Sequence, residues 1–147
     1  MLRRCRTALI SLPVALALTA CGRLYELPPP EGDPVVLKPA EVATTWTDAD
    51  GGTLTLKQDG TFVADKICIA IGFEDGLTQS GTGTWKQGSN KKQSIVSVTF
   101  DAAHPETGER KPDPWAALRR GKVWKLWTRV GDPDHDDPHC TLTSPAS

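Results

Sequence analysis

No apolar run in these 147 residues is long enough to cross a bilayer. The run from Ala8 to Ala20 has thirteen residues and is interrupted by Pro13, whereas a ~30 Å hydrocarbon core requires about 20. Helical signals are also missing. After residue 20 no stretch joins a 3.6-residue apolar period to capping residues, so little or no helix is expected. Positive charge is not in surplus, the net value being −1. Catalytic signatures are scarce too. A serine or cysteine nucleophile needs a base held by an orienting acid. His104, His135 and His139 all fall in expected loops, and no serine sits in a strand-to-helix elbow. No carboxylate pair stands out from the acidic loops as a glycosidase pair would. An enzyme is not expected, and no cofactor is.

What is present begins with MLRRCR, three arginines and no acid. A basic start, a short apolar stretch and small residues at its end describe an export signal. The end of that stretch, Leu18-Thr19-Ala20-Cys21, resembles the lipobox of bacterial lipoproteins. The resemblance implies a diacylglyceryl group with palmitate-type chains on the Cys21 sulfur and cleavage just before it. Arg3-Arg4 hints at a twin-arginine signal, but Cys5-Arg6-Thr7 lacks the apolar pair expected after it. The general export route is the expectation. Two acyl chains hold a protein firmly at a membrane where one does not. The chain then divides into a signal peptide (1–20), a lipidated cysteine with a proline-rich linker (21–40) and a folded domain (41–147). The protein is expected at the extracytoplasmic face of the cell membrane.

Loss of Arg3, Arg4 and Arg6 takes Lys+Arg from 17 to 14 against 18 Asp+Glu, and the net charge from −1 to −4. That balance argues against nucleic acid, and against an anionic bilayer, as the main partner. Of four cysteines, Cys5 leaves with the signal and Cys21 takes the lipid. Cys68 and Cys140 remain, and an even remainder outside the cytosol suggests a disulfide. It would close a loop of about 70 residues, worth roughly 4 kcal/mol in the chain-entropy model. Gly22 to Pro39 holds five prolines. Such a stretch favours extended polyproline II and acts as a semi-rigid spacer with little other order.

From Ala43 onward short β-rich runs alternate with turns. Thr53 to Lys57 alternates strictly, placing Leu54 and Leu56 on one face. A three-residue turn with Gly60 left-handed would set Leu56 opposite Phe62 and Leu54 opposite Ala64, keeping that face apolar. Further strands are expected at Gly83–Lys86, at Ile95–Phe100 with Val96, Val98 and Phe100 inward, and at Cys140–Thr143. A hairpin of Trp115–Leu118 with Val123–Val130 is expected around residues 119–122. Gln87 to Gln93 reads as a turn and Asp101 to Pro114 as a loop. The fold class expected is all-β, a small antiparallel up-and-down barrel of seven or eight short strands, lipocalin-like, because closure removes exposed edges. An immunoglobulin-type sandwich is the alternative.

The stretches TWTDADGGTLTLKQDGTFVA, SGTGTW and LWTRVGDPD resemble a group of small actinobacterial envelope lipoproteins. The resemblance spans Thr45 to Asp134 and consists of turns and core tryptophans. It implies the β fold and no chemistry.

Three places invite a functional reading. Asp132, Asp134 and Asp136 match the first alternating positions of a calcium loop, but Asp137 stands where glycine is needed and Thr143 where glutamate is. They are weak metal candidates, and an exposed turn-rich loop is the plainer reading. Trp124 and Trp127 lie an odd number apart, so one faces outward. Trp85 and Trp124 are expected in the core. Ile67-Cys68-Ile69-Ala70-Ile71 is apolar on both faces, through a bulge, a covering loop or a contact patch. Ile67, Ile69, Ile71 and Trp127 are the candidate interaction surface. The function expected is a membrane-anchored, non-catalytic binding or scaffold module with an envelope protein as partner. The alternatives are a carrier of a small apolar ligand and a weak metal-binding module. A barrel filled by Trp46, Leu54, Phe62, Trp85, Phe100 and Trp124 would speak against the carrier.

Overall fold

The computed structural model describes residues 28–70, 77–130 and 139–145. Its strands are β1 (Asp33–Pro34), β2 (Thr45–Thr47), β3 (Thr53–Leu56), β4 (Thr61–Cys68), β5 (Thr78–Ser89), β6 (Ser94–Phe100), β7 (Asp113–Arg120), β8 (Val123–Arg129) and β9 (His139–Pro145), with a single helical turn α1 (Pro39–Val42). Strands β2 to β9 pair antiparallel in sequence order, and β9 returns to β2 through Thr47 and Thr143. The result is a closed eight-stranded lipocalin-like barrel, not a sandwich of two sheets. Strand β1 adds to the free part of the β7 edge, Asp33 opposite Arg119 and Pro34 opposite Leu118.

Alternation builds the inside. On β3 and β4, Leu54 faces Ala64 and Leu56 faces Phe62, with Gly60 at φ 82° in the turn between them. This is the register that keeps charge off the apolar face. Asp59 secures the same turn by accepting from the Thr61 amide at 2.9 Å and the Thr61 hydroxyl at 2.6 Å. On β6, Val96, Val98 and Phe100 are buried, as the alternation predicts. The interior is filled by Trp46, Leu54, Phe62, Trp115, Leu126 and Leu142 together with smaller apolar residues. Phe62 and Phe100 meet edge to face at 5.0 Å. Gly83 makes room for them, since a Cβ there would stand 2.7 Å from the Phe62 ring.

Several boundaries differ from the sequence reading. Strand β5 runs for twelve residues, well beyond Gly83–Lys86, and absorbs part of the expected 87–93 turn. Pairing with β4 on one edge and β6 on the other sustains it despite glycines and polar residues. Asp113 belongs to β7 and not to the preceding loop. The folded unit also begins before residue 41. Glu31 bonds Arg120 at 2.7 Å and its carbonyl accepts from Lys125 Nζ at 2.9 Å. Leu37 is buried, its amide donating to Ser94 Oγ at 2.9 Å. The chain then makes α1, with Pro39 at its first position and the Lys38 amide capped by the Glu41 carboxylate at 2.7 Å. The Val42 carbonyl accepts the Trp46 indole N–H at 3.0 Å. So residues 31–40, expected to belong to a semi-rigid spacer, are held along the barrel and across one opening.

The apolar run after Ala64 is explained by a bulge. The β4–β5 register shifts between Ala64 and Ile67, and Lys66 takes φ 50°. Asp65 and Lys66 are both exposed, and the inward phase resumes at Ile67 and Ile69. A bulge adds one residue to a strand and so changes which face later side chains occupy.

Candidate functional site

The two ends of the barrel are built differently. At the turn end, the connections 57–60, 90–93 and 121–122 are two to four residues long. At the loop end, the connections 48–52, 69–77, 101–112 and 130–138 run from five to twelve.

At the loop end Cys68 and Cys140 form a disulfide, with Cα atoms 5.8 Å apart. It joins β4 to β9, which are not neighbours in the sheet. The β2–β3 hairpin between them is short: its last pairs are Thr53 with Asp65 and Thr47 with Thr143. The bond closes the wall where that hairpin stops. Just inside lies Asp113, 4 % exposed. Its Oδ2 accepts the Ala70 amide at 3.3 Å and its Oδ1 the Thr128 hydroxyl at 3.5 Å. Burial pushes its carboxyl up to about 6 from the ordinary 3.8, against the smaller opposing effects of the Ala70 amide and the nearby Trp115 and Thr128 side chains. The Trp115 indole lies near that carboxylate, but its Nε1 makes no hydrogen bond of ordinary geometry among the described residues. His104 is buried beneath the 101–112 loop. Its Nε2 donates to the Thr78 carbonyl at 3.2 Å, while Nδ1 accepts the Glu106 and Thr107 amides at 3.3 and 3.4 Å. Those partners define the neutral tautomer protonated on Nε2. The ring organises its loop, and its nitrogens face backbone and not a nucleophile. Gln79 donates to the Ala102 carbonyl at 3.3 Å, leaving Oε1 buried without a partner among the described residues.

At the turn end Trp85 is half-buried, correcting its expected place in the core, whereas Trp124 is buried as expected. The Trp85 indole donates to the Lys57 carbonyl at 2.8 Å and helps line an open groove of about 430 Å³ with Val36, Pro39, Gln58 and Lys86.

The candidate surface of Ile67, Ile69, Ile71 and Trp127 does not assemble. Ile67 and Ile69 are 0 % and 2 % exposed because the bulge turns them inward, so neither can form a contact patch. Ile71 lies outside the described residues, as do Asp132, Asp134 and Asp136. Trp127 does point outward and is half-buried, in edge-to-face contact with His139 at 5.4 Å. Beside it is a shallow depression of about 200 Å³ with Ile95, Pro114 and Ala116. Asp113 and Gln79 were missed as interior groups. The signal for Asp113 was available: it precedes Trp115 and Ala117 by two and four positions, on the inward phase.

What the geometry defines is a class, the small filled β-barrel closed by a disulfide. No family model matches the chain, and no curated protein or solved structure matches it.

Proposed function

We propose that the protein is a lipid-anchored, non-catalytic binding or scaffold module at the extracytoplasmic face of the bacterial cell membrane, held there by a diacylglyceryl group on Cys21. The observation that favours a scaffold over a carrier is the filled barrel. Trp46, Leu54, Phe62, Phe100 and Trp124 occupy the space that a carrier of small apolar ligands would keep open. Recognition then falls to the outer surface and the connections at the loop end, the segments that vary most freely on a rigid frame. The Cys68–Cys140 bond supports an oxidising compartment. The anchor is supported by the signal-like start and the lipobox-like Leu18-Thr19-Ala20-Cys21. Metabolic labelling with an alkyne fatty acid tests it. Label should enter the wild-type chain and be lost in Cys21→Ala, with the protein moving from the membrane to the soluble fraction. An unlabelled wild-type chain ends the proposal.

A further inference from the structure

The net charge conceals a separation along the barrel. The turn end carries Lys57, Lys91, Lys92 and Lys122 on its three turns and Arg119 and Arg120 at the end of β7, with Lys38, Lys86 and Lys125 beside them; all are exposed except Lys125, which is half-buried. Among the described residues four carboxylates lie there, Glu31, Asp33, Glu41 and Asp59. Glu31 is engaged with Arg120, while Lys57, Lys86, Lys91, Lys92 and Lys122 have no ion pair among the described residues. Among the described residues the loop end has the opposite balance. Asp48, Asp50, Asp65, Asp101, Glu106 and Glu109 are there with the buried Asp113, against Lys66, Arg110, Lys111 and Arg129.

Two more features coincide with the basic end. The chain joins the barrel there, since Asp33 pairs with Arg119 and Glu31 with Arg120. Two of the three exposed large apolar residues among those described, Val36 at 57 % and Val123 at 38 %, lie there as well, the third being Val63 on β4. The geometry points to the turn end as a docking face for an anionic lipid surface, with the loop end turned away from it. The inference rests on the lipid-anchored reading for its tether.

The physical argument is one of range. Strands of seven or eight residues make a barrel about 20 Å tall. Charges are screened over about 8 Å at physiological salt. A surface touching one end therefore feels the nine cations and four acids near it, and not the total. The objection that a net charge of −4 disfavours an anionic bilayer holds for a uniform sphere and fails for this one. The clamping of residues 31–40 on the barrel also shortens the free tether. The ten residues 21–30, even fully extended, reach no more than about 35 Å. A short tether leaving the basic face holds that face at high effective concentration against the headgroups. Presented with its loop end first, the barrel would bring an excess of acids to the same surface and be repelled, so the two ends favour one orientation.

The test uses the mature chain from residue 21 with Cys21→Ser, which retains every described residue and lacks the acyl group. It is sedimented with vesicles of phosphatidylcholine alone or mixed with phosphatidylglycerol, at low and high salt. Binding is expected only to the mixed vesicles, and salt should abolish it. Lys91→Glu with Lys92→Glu should lower the partition coefficient by about tenfold or more, each cation near such a surface being worth roughly fivefold. Lys66→Glu with Lys111→Glu, the same charge change at the other end, should alter it less than about twofold. Both variants should melt like the parent. No binding to mixed vesicles, equal losses from the two pairs, or retention on heparin without vesicle binding would each overturn the inference. Because this chain carries no lipid, the outcome is separate from that of the labelling. Labelled Cys21 without vesicle binding removes the docking face and leaves the anchor; vesicle binding without label does the reverse.

Discussion

At the turn end three hairpins reverse within four residues, and their charges stand exposed on the rim. At the loop end the chain wanders for up to twelve residues between strands, and one carboxylate, Asp113, is drawn inside. The turn end is closed by its own chain: α1 and Leu37 seal it, with Trp46 bonded beneath. The loop end is closed by a covalent bond over a hairpin too short to reach. Tight, self-sealed turns tolerate charge at little cost. Long connections lack ladder bonds and have to be tied down by particular groups: the disulfide, His104 and Asp113. Under the proposed anchoring the two ends divide the labour, the turn end lying against a surface and the loop end carrying the longer connections away from it.

The sharpest way to break this contrast is to cut the bond at the loop end. Replacing both Cys68 and Cys140 by serine should cost about 4 kcal/mol, from the entropy of the open chain. Urea unfolding will measure the loss. Hydrogen exchange should speed first in β4 beyond Asp65 and in β9 before Thr143, where no ladder remains on the open side. Uniform loss of protection, reaching the 57–60 and 121–122 turns equally, would mean that the ends are not independent.

Next in size is Asp113. Its folded value of about 6 lies above the unfolded 3.8, so folding favours the neutral form. That contribution is whole below pH 4 and disappears as pH rises through 6. The decline should amount to roughly 2–3 kcal/mol by neutral pH. Asp113→Asn keeps an acceptor for the Ala70 amide and removes the charge. Its stability should be nearly flat between pH 4 and 7, and higher than wild type at pH 7. An unchanged pH profile in the variant would show that the buried carboxylate is solvated after all.

These two groups also mark how far the sequence could be read. The barrel was legible because period-two alternation in Thr53–Leu56, Ile95–Phe100 and Val123–Val130 leaves few topologies. The pairing of Cys68 with Cys140 was legible by count. The Ile67–Ile71 segment was not, since a single extra residue in the bulge reverses every later side chain, and nothing local distinguishes that from a contact patch. The polarity of charge was hidden for another reason. Lys57, the Lys91-Lys92 pair and Lys122 are far apart in sequence, and only antiparallel connection brings alternate turns to one end. Composition averaged them against the acids of the other loops.

A smaller effect separates the entering chain from the barrel it covers. Ser94 Oγ accepts from the Leu37 amide at 2.9 Å and from Gln87 Nε2 at 3.0 Å, all in a buried or half-buried setting. Ser94→Ala leaves the Leu37 donor without that acceptor, at a cost of about 1–2 kcal/mol. Proteolysis within residues 31–38 should accelerate while cleavage at the loop end does not. Equal acceleration at both ends would put Ser94 in the general core and not in the clamp.

The smallest expected effect is at the Glu31–Arg120 pair. Both side chains are largely exposed, 73 % and 58 %, despite the 2.7 Å contact. Exposed pairs contribute little because water screens them and holding two long side chains costs entropy. Glu31→Gln should therefore change stability by less than about 0.5 kcal/mol, although the Glu31 carbonyl still holds Lys125. The substitution also frees Arg120, so vesicle binding should strengthen slightly while the melting temperature stays put. A large loss of stability would show that the rim charges hold the fold together, and the contrast between a cheap basic rim and a costly buried acid would fail.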